Sequence, residues 1–353
     1  MNSIALPRHA ARARPPLALG GLALLLAAVA WWSLSSGAMP LSAGRALAAL
    51  AHALDGHVLD GDDRVVLMLR LPRVLMAMLV GAVLACGGAV MQGLFRNPLA
   101  DPGLIGVSAG AALGAVAMIV LGGALARVLP GLSGTSGVAV AAFAGGLLAT
   151  ALVYRLGRRR PGVATLLLAG VAINAIAMAG VGLLTFLANE NQLRDLTFWS
   201  LGSLGASDWH RLAVVAWPML LPLLALPRTA RALNALLLGE REATLLGFRP
   251  DRLQPLLIAL VALMVGAAVA MTGVIGFVGL LVPHLLRLCW GPDHRLLLPA
   301  SALGGAVLLT GADTLARTVV APAELPIGVL TALLGGPFFL WLLLRSPAPG
   351  LRP

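Results

Sequence analysis

The segment RALNALLLGEREATLLGFRPDRLQ, residues 231–254, is a charged stretch between two long apolar segments. Its leucines recur at helical spacing, although seven of its side chains are charged. Gly239 and Gly247 interrupt the spacing, and glycine commonly ends a helix. The pattern predicts two short helices joined at a turn, lying outside the apolar part of the protein.

The rest of the chain is too apolar for a water-soluble domain. Of 353 residues, 59% are hydrophobic and 11% are charged, and the mean hydropathy is +0.94. Such a composition is typical of proteins that cross a membrane several times. We therefore predict an all-α polytopic membrane protein in which residues 1–353 form a single transmembrane domain.

Ten apolar stretches are long enough to cross a bilayer, which takes a helix of about 20 residues. They lie at 17–36, 65–92, 103–125, 135–156, 163–188, 209–227, 254–272, 274–290, 296–314 and 326–345. A basic tail, residues 1–15, precedes the first stretch, so a cleaved signal peptide is an alternative to a retained span. The length of the run from Leu17 to Leu34, with Trp31 and Trp32 as interfacial anchors, favours a retained span.

The positive charge comes from arginine alone, because the chain contains no lysine. If the N-terminus is cytoplasmic, 17 of the 25 arginines lie on that side. The other eight are Arg45, Arg64, Arg70, Arg73, Arg127, Arg194, Arg211 and Arg317. Since cytoplasmic loops are enriched in basic residues, the count predicts that both termini and residues 228–253 are cytoplasmic. It also favours anionic membrane lipid over nucleic acid as the partner of these charges.

A weak internal repeat relates the two halves of the chain. A shift of 185 residues aligns GAVLACGGAV from Gly81 with GAAVAMTGVI from Gly266, and places Pro98 on Pro283. Five predicted spans separate the copies, so the copies run in opposite directions across the membrane. Inverted repeats are common in transporters.

The predicted spans hold few groups that could drive transport. Gln92 and Asn174 are the most polar buried candidates, either as parts of a substrate pathway or as amides that bond a neighbouring helix. The chain has no GxxxxGK[ST] loop for a nucleotide. The energy for uphill transport would then come from another subunit, and residues 231–254 are either its contact site or an ordinary connector.

The sequence predicts neither a catalytic nor a metal site. Cys86 and Cys289 lie in or beside apolar segments without a CxxC pair, which indicates packing. A membrane enzyme would need a polar constellation at one face, and the His, Asp and Glu positions form none by spacing. A secondary transporter or channel that works without ATP is the second alternative.

Four separated motifs resemble one known family. They are LRLPRVLMAMLVGAVLACGGAVMQGLFRNPLADPGLIGVSAGAALGA at 69–115, LGEREATLLGF at 238–248, GVIGFVGLLVPHLLRLCWGPDHRLLLPASALGGAVLL at 273–309, and ADTLAR with AELPIGVLTALLGGPFFLWLLL at 312–344. Together they resemble the permease family of bacterial ABC importers for ferric siderophores, haem and cobalamin.

The resemblance implies a type II ABC importer permease in the bacterial inner membrane. In this family two copies of a ten-span subunit enclose the pathway on their two-fold axis. Two ATPase subunits, which bind ATP and Mg²⁺, dock on the cytoplasmic side, and a periplasmic substrate-binding protein docks on the other side. The permease itself would bind no cofactor and have no enzymatic activity.

The resemblance also assigns roles to particular residues. The ATPase-coupling residues would be Leu238, Gly239, Glu240, Ala243, Leu246 and Gly247. The residues that dock the binding protein would be Arg70, Arg73 and Arg317, through acidic residues on that protein. The alternative for these arginines is an ordinary interfacial position with the charged head in water.

The phrase LRDLTFWSLGSL at 193–204 most resembles haem-importing members, which favours haem as cargo over ferric siderophores or cobalamin. Arg194 could then bind haem propionates through charge-assisted hydrogen bonds. Alternatively, Arg194 pairs with Asp195 or Glu190 on a surface helix. His284 and His294 are interpreted as packing or gate residues rather than haem ligands.

Overall fold

The computed structural model describes residues 15–37, 39, 41–55, 60–125, 134–159 and 162–345, where all regular secondary structure is helical. The helices are α1 (Pro15–Ser35), α2 (Ala43–Asp55), α3 (Gly61–Leu94), α4 (Val107–Leu125), α5 (Gly134–Gly157), α6 (Val163–Leu187), α7 (Glu190–Leu201), α8 (Trp209–Ala225), α9 (Ala230–Leu238), α10 (Glu240–Leu245), α11 (Pro250–Thr272), α12 (Val278–Trp290), α13 (His294–Thr318) and α14 (Ile327–Arg345). The predicted all-α class is confirmed. The basic tail falls almost entirely outside the described residues.

Seven of the described helices are long and apolar enough to cross a membrane: α1, α3, α5, α6, α11, α13 and the continuous run Trp209–Leu238 that contains α8 and α9. Three shorter apolar helices of 10–17 residues are Val107–Gly123, Val278–Trp290 and Ile327–Leu342. A helix therefore lies at each of the ten apolar stretches.

Two of the predicted stretches begin too early. The stretch from 103 opens with a 3-10 turn, Pro102–Ile105, and α4 starts only after Gly106, whose φ is +90°. The stretch from 274 opens with non-helical backbone after Gly273, whose φ is +71°. Positive φ is open to glycine at little cost and stops a right-handed helix. The hydropathy of the sequence gives no indication of the breaks at Gly106 and Gly273.

Two helices are absent from the predicted spans: α2 was not predicted, and α7 was considered only as the surface helix in the alternative for Arg194. α2 and α7 are short and contain charged residues, so a search for apolar runs passes over them. α7 begins with a capping box, in which the Asn189 and Gln192 side chains each accept a hydrogen bond from the other residue's backbone N–H.

α3 is the central helix of the protein. It packs against α13, α12, α11 and α8, and nearly every residue from Val80 to Leu94 is buried. Glycine lets the neighbouring backbones touch it: a Cβ on Gly81 would lie 2.2 Å from the carbonyl oxygen of Gly305 in α13, and one on Gly88 would lie 1.8 Å from that of Gly279 in α12. Close approach of this kind drives helix association where lipid removes the hydrophobic effect.

α3 and α13 run antiparallel, and their ends define two faces of the molecule. The start of α3 meets the end of α13 where Arg73 pairs with Asp313. The end of α3 meets the start of α13 where Gly93 lies against the His294 ring. We name the first of these ends the Arg73 face. We name the second end the α10 face, because α10 lies there, beside the start of α11.

α6 differs from α3 in having almost no buried side chains. Of its 25 residues only Gly170 and Ala177 are buried, whereas Leu168, Ile176 and Phe186 are 66–85% exposed. An apolar helix with this exposure has one side or more available to lipid or to another protein.

Candidate functional site

Arg73 is the centre of an ion-pair network at the Arg73 face. Its Nε and Nη2 donate to the Asp313 carboxylate at 2.9–3.1 Å. Nη1 and Nη2 donate to the two oxygens of Glu324 at 2.9 and 3.0 Å. The Arg73 side chain is 13% exposed and thus reaches the surface. Each carboxylate uses two adjacent N–H groups, the geometry for which guanidinium is suited.

The other two predicted docking arginines lie behind this network. Arg317 is 6% exposed, donates from Nη2 to the Ser33 carbonyl and hydroxyl, and has Nε at 3.6 Å from Asp313. Arg70 is 5% exposed and donates to the Leu34 carbonyl at 2.8 Å and to the Met39 carbonyl. Both arginines join the end of α1 to the body of the protein, and Arg73, at 13%, is the most exposed of the three.

The acidic partners of Arg73 were missed by the sequence analysis. Asp313 is 2% exposed, so an ionisable group is buried in the stretch 296–314, where the spans were interpreted as nearly free of charge. Asp313 and Arg317 are four residues apart on one helix, a spacing at which opposite charges pair, and this spacing was the sequence signal for Asp313. Glu324 lies 251 residues from Arg73 in sequence, and no local pattern links them.

At the α10 face, the stretch that contains the predicted coupling residues forms α9 and α10, joined at Gly239 with φ +130°. Leu238 and Leu246 are 66% and 60% exposed, whereas Ala243 is fully buried beneath them. Gly247, with φ +86°, ends the second helix, and Glu240 accepts a hydrogen bond from Gln254 at 2.8 Å. With Leu245, which is 81% exposed, the arrangement presents three apolar side chains to the surroundings.

α9 is anchored to the start of α13 by three hydrogen bonds. The Asn234 amide oxygen accepts from the His294 backbone N–H at 2.9 Å and lies 2.8 Å from its Nδ1, while the Asn234 amide nitrogen donates to Asp293 at 2.6 Å. Because the amide nitrogen faces Asp293, the oxygen faces His294, and Nδ1 carries the ring proton. Burial raises the pKa of Asp293, but hydrogen bonds from the Arg295 N–H and Asn234 outweigh it, so this pKa lies below its ordinary value.

The two amides considered for a substrate pathway donate to backbone carbonyls, those of α12 for Gln92 and that of the 3-10 turn Pro102–Ile105 for Asn174. Gln92 is 1% exposed and donates to the Gly279 and Leu280 carbonyls at 3.3 and 3.4 Å. Asn174 donates to the Gly103 carbonyl at 3.0 Å. In both residues the amide oxygen is buried without a hydrogen-bond partner. In each amide the nitrogen thus bonds the backbone and the oxygen is a free acceptor.

Arg194 is exposed on α7 and makes no hydrogen bond or ion pair with any described residue. The alternative pairing with Asp195 or Glu190 is therefore not formed within the described part of the chain. Beside it, a cavity of about 640 Å³ lies between α4, α5, α7 and the end of α11, with Phe198 and Trp199 among its lining residues.

Comparison with known proteins identifies the family of this chain. The model of the FecCD transport family matches residues 24–345, which include every helix that builds the two faces. The chain belongs to the FecCD transport family.

Individual relatives of this FecCD-family permease are similar over nearly their full length. The hemin transport system permease protein HmuU of Yersinia pestis is 49% identical over 337 residues, which is 95% of this chain and 97% of that protein. The vitamin B12 import system permease protein BtuC of Klebsiella pneumoniae subsp. pneumoniae is 42% identical over 353 residues, 99% and 100% of the two chains.

Solved structures agree with the fold of this FecCD-family permease. A metal-chelate type ABC transporter in an inward-facing conformation matches with a TM-score of 0.82 and 35% identity, covering 94% of this chain and all of the other. The predicted membership is confirmed: the chain is a multi-pass ABC importer permease of the bacterial inner membrane, and ATP hydrolysis belongs to separate subunits.

Proposed function

We propose that this FecCD-family permease conducts haem from the periplasm to the cytoplasm, driven by ATP hydrolysis in partner subunits. Haem is inferred as the cargo from the 49% identity to a hemin permease over 95% of the chain. A cobalamin permease is also similar, at 42% identity, so cobalamin is the second candidate, and ferric siderophores are the third because a structural relative transports metal chelates.

The proposal includes ten membrane spans with both termini in the cytoplasm, which places the Arg73 face in the periplasm and the α10 face in the cytoplasm. The seven long and three shorter apolar helices support that count. The inverted repeat is supported by Gly106 and Gly291, which the 185-residue shift aligns and which have φ values of +90° and +88°.

We also propose a homodimer with its pathway on the two-fold axis. α6 supports this, because it is apolar and only two of its residues are buried within one chain. Arg194 would bind haem propionates at the periplasmic mouth. Asn174 and Gln92 remain proposed pathway residues, supported by their free buried amide oxygens.

Coupling would occur where two ATPase subunits bind the α10 face through Leu238, Gly239, Glu240, Ala243, Leu246 and Gly247. The exposure of Leu238 and Leu246 supports this, as exposed apolar side chains on a polar surface mark interaction sites. The bonds from Asn234 to Asp293 and His294 provide a route from α9 into α13.

Docking of a periplasmic binding protein would occur at the Arg73 face. Arg73, whose side chain is 13% exposed, would bind an acidic residue of the partner, and the more buried Arg70 and Arg317 would add positive charge behind it. Charge pairs of this kind determine register and association rate.

Transport by the reconstituted importer tests the proposal. The permease, its ATPase and a haem-binding periplasmic protein would be placed in liposomes, and uptake of haem, cobalamin and a ferric siderophore would be compared, each cargo with its own binding protein. We expect ATP-dependent uptake of haem alone. Uptake of another cargo instead would overturn the choice of haem, and uptake by the permease alone with an ion gradient would overturn the ATP-driven mechanism.

A further inference from the structure

The outward edge of the Arg73 guanidinium is already occupied by a carboxylate of the same chain. Asp313 binds the edge formed by Nε and Nη2, while Glu324 binds the edge formed by Nη1 and Nη2 through two parallel hydrogen bonds of 2.9 and 3.0 Å. A carboxylate from another protein would bind the same donors, Nη1 and Nη2, because two parallel N–H bonds are the strongest arrangement that a guanidinium offers.

The donor inventory of Arg73 shows how completely the site is filled. Guanidinium has five N–H groups: one on Nε and two each on Nη1 and Nη2. Asp313 takes the Nε proton and one on Nη2, and Glu324 takes the other Nη2 proton and one on Nη1. One N–H on Nη1 is left, so an incoming carboxylate cannot form two bonds to Arg73 while Glu324 stays.

The two carboxylates differ in how easily they can leave. Asp313 is 2% exposed, belongs to the last two turns of α13 and also lies beside Arg317. Glu324 is 46% exposed and lies in the α13–α14 connection, where residues 319–324 are all exposed. Water competes for the exposed carboxylate of Glu324, which weakens its pair with Arg73. Glu324 is therefore the replaceable partner.

Glu324 is ionised at neutral pH. Its hydrogen bonds from Arg73 hold the pKa of this carboxyl below its usual range. With Glu324 in place, the network of Arg70, Arg73, Arg317, Asp313 and Glu324 has a formal charge of +1, and without Glu324 it would have +2. The side chain thus covers the donors and also weakens the attraction for an acidic partner.

We propose that Glu324 is an internal substitute for the partner's carboxylate: it occupies the outward edge of Arg73 until an Asp or Glu side chain of the docking protein displaces it. This inference rests on the docking role proposed for the Arg73 face. It makes docking an exchange of one carboxylate for another, so the buried Arg73 is never left without a partner on that edge. Glu324 thereby limits the affinity of the undocked permease for acidic surfaces.

The test compares docking affinities of the complete importer in nanodiscs, with its binding protein as the probe. Removal of a competing exposed pair worth about 0.2–1 kcal/mol corresponds to a change of about 1.5- to 5-fold in affinity. We expect Glu324→Gln and Glu324→Ala to tighten binding by that factor and Arg73→Gln to weaken it. The gain should be the same at pH 6 and pH 8, because Glu324 is ionised at both.

Glu190→Gln is the matched control, since it removes one exposed negative charge at the start of α7 from a residue that makes no ion pair with Arg73. Equal tightening in this variant would show a long-range charge effect and overturn the exchange. Unchanged or weaker binding in both Glu324 variants, together with weakening by Arg73→Gln, would also overturn it but leave docking through Arg73 intact. If Arg73→Gln leaves binding unchanged, the docking proposal itself fails.

Discussion

A single amide, that of Asn234, holds the first residue of α13, His294, by its backbone N–H and by its imidazole. His294 has no exposed surface, so these two donors have no access to water. The relationship joins the short helix of the α10 face to a helix that continues to the Arg73 face.

Asn234→Ala should destabilise the protein. It removes the acceptor of two buried donors and the amide bonded to Asp293, and each unsatisfied buried group costs about 1–3 kcal/mol. We expect a lower thermal unfolding temperature of the detergent-solubilised chain and weaker coupling of ATP hydrolysis to uptake in the complete importer. Asn191→Ala is the control, because Asn191 is exposed on α7 without a hydrogen bond to any described residue. Equal unfolding temperatures for wild type and Asn234→Ala would contradict the anchoring role.

Asp313→Asn should be among the most damaging substitutions at the Arg73 face. It leaves Arg73 and Arg317, which are 13% and 6% exposed, without their shared counter-charge. Loss of one partner from a buried ion pair costs about 3–5 kcal/mol. We expect a large fall in the unfolding temperature or in the yield of folded protein, measured by thermal denaturation and size-exclusion chromatography. Asp313→Glu retains the charge and should fold; if both variants match wild type, the network contributes little.

Gly81→Ala tests the contact between α3 and α13. The new Cβ would lie 2.2 Å from the Gly305 carbonyl oxygen, so the helices must separate. Overpacking of this kind costs about 1–3 kcal/mol. Gly311→Ala on α13 is the control, because its Cβ would meet Val29 at an ordinary 3.8 Å. We expect a lower unfolding temperature for the first variant only, and similar losses in both would indicate a general intolerance of helix substitution.

The double variant Leu238→Ser, Leu246→Ser should distinguish an effect on assembly with the ATPase from an effect on folding of the permease. Both side chains are more than half exposed, so the isolated permease should keep its unfolding temperature. If they bind the ATPase, the variant should lose copurification of that subunit. Leu54→Ser, at an 88% exposed position on α2, should change neither property. Normal copurification of the double variant would place the ATPase contact elsewhere.

The amount that could be predicted from sequence depended on whether the signal was local. Apolar runs near 20 residues identified the long helices, because lipid requires that length. The starts of α4 and α12 were wrong, because Gly106 and Gly273 turn the backbone within runs that remain apolar. α2 was missed, and α7 was considered only as an alternative for Arg194, because these helices do not consist of continuous apolar sequence.

The site residues divide in the same way. The charged stretch containing Leu238 and Leu246 was visible as a local contrast in charge and spacing. Glu324 and Asn234 were missed because their partners lie 251 and 60 residues away, and only the folded chain brings those groups together.

The carbonyl-to-glycine contact between α3 and α13 has a mechanical consequence. At Gly81 and Gly305 the two backbones touch with no flexible side chain between them. We therefore expect α3 and α13 to move as one rigid unit whose ends lie at the Arg73 face and the α10 face. A displacement of this unit at the α10 face would then also displace its other end, at the Arg73 face. Rearrangement during a transport cycle must then occur between this pair and other helices, such as α6, in which only Gly170 and Ala177 are buried within one chain.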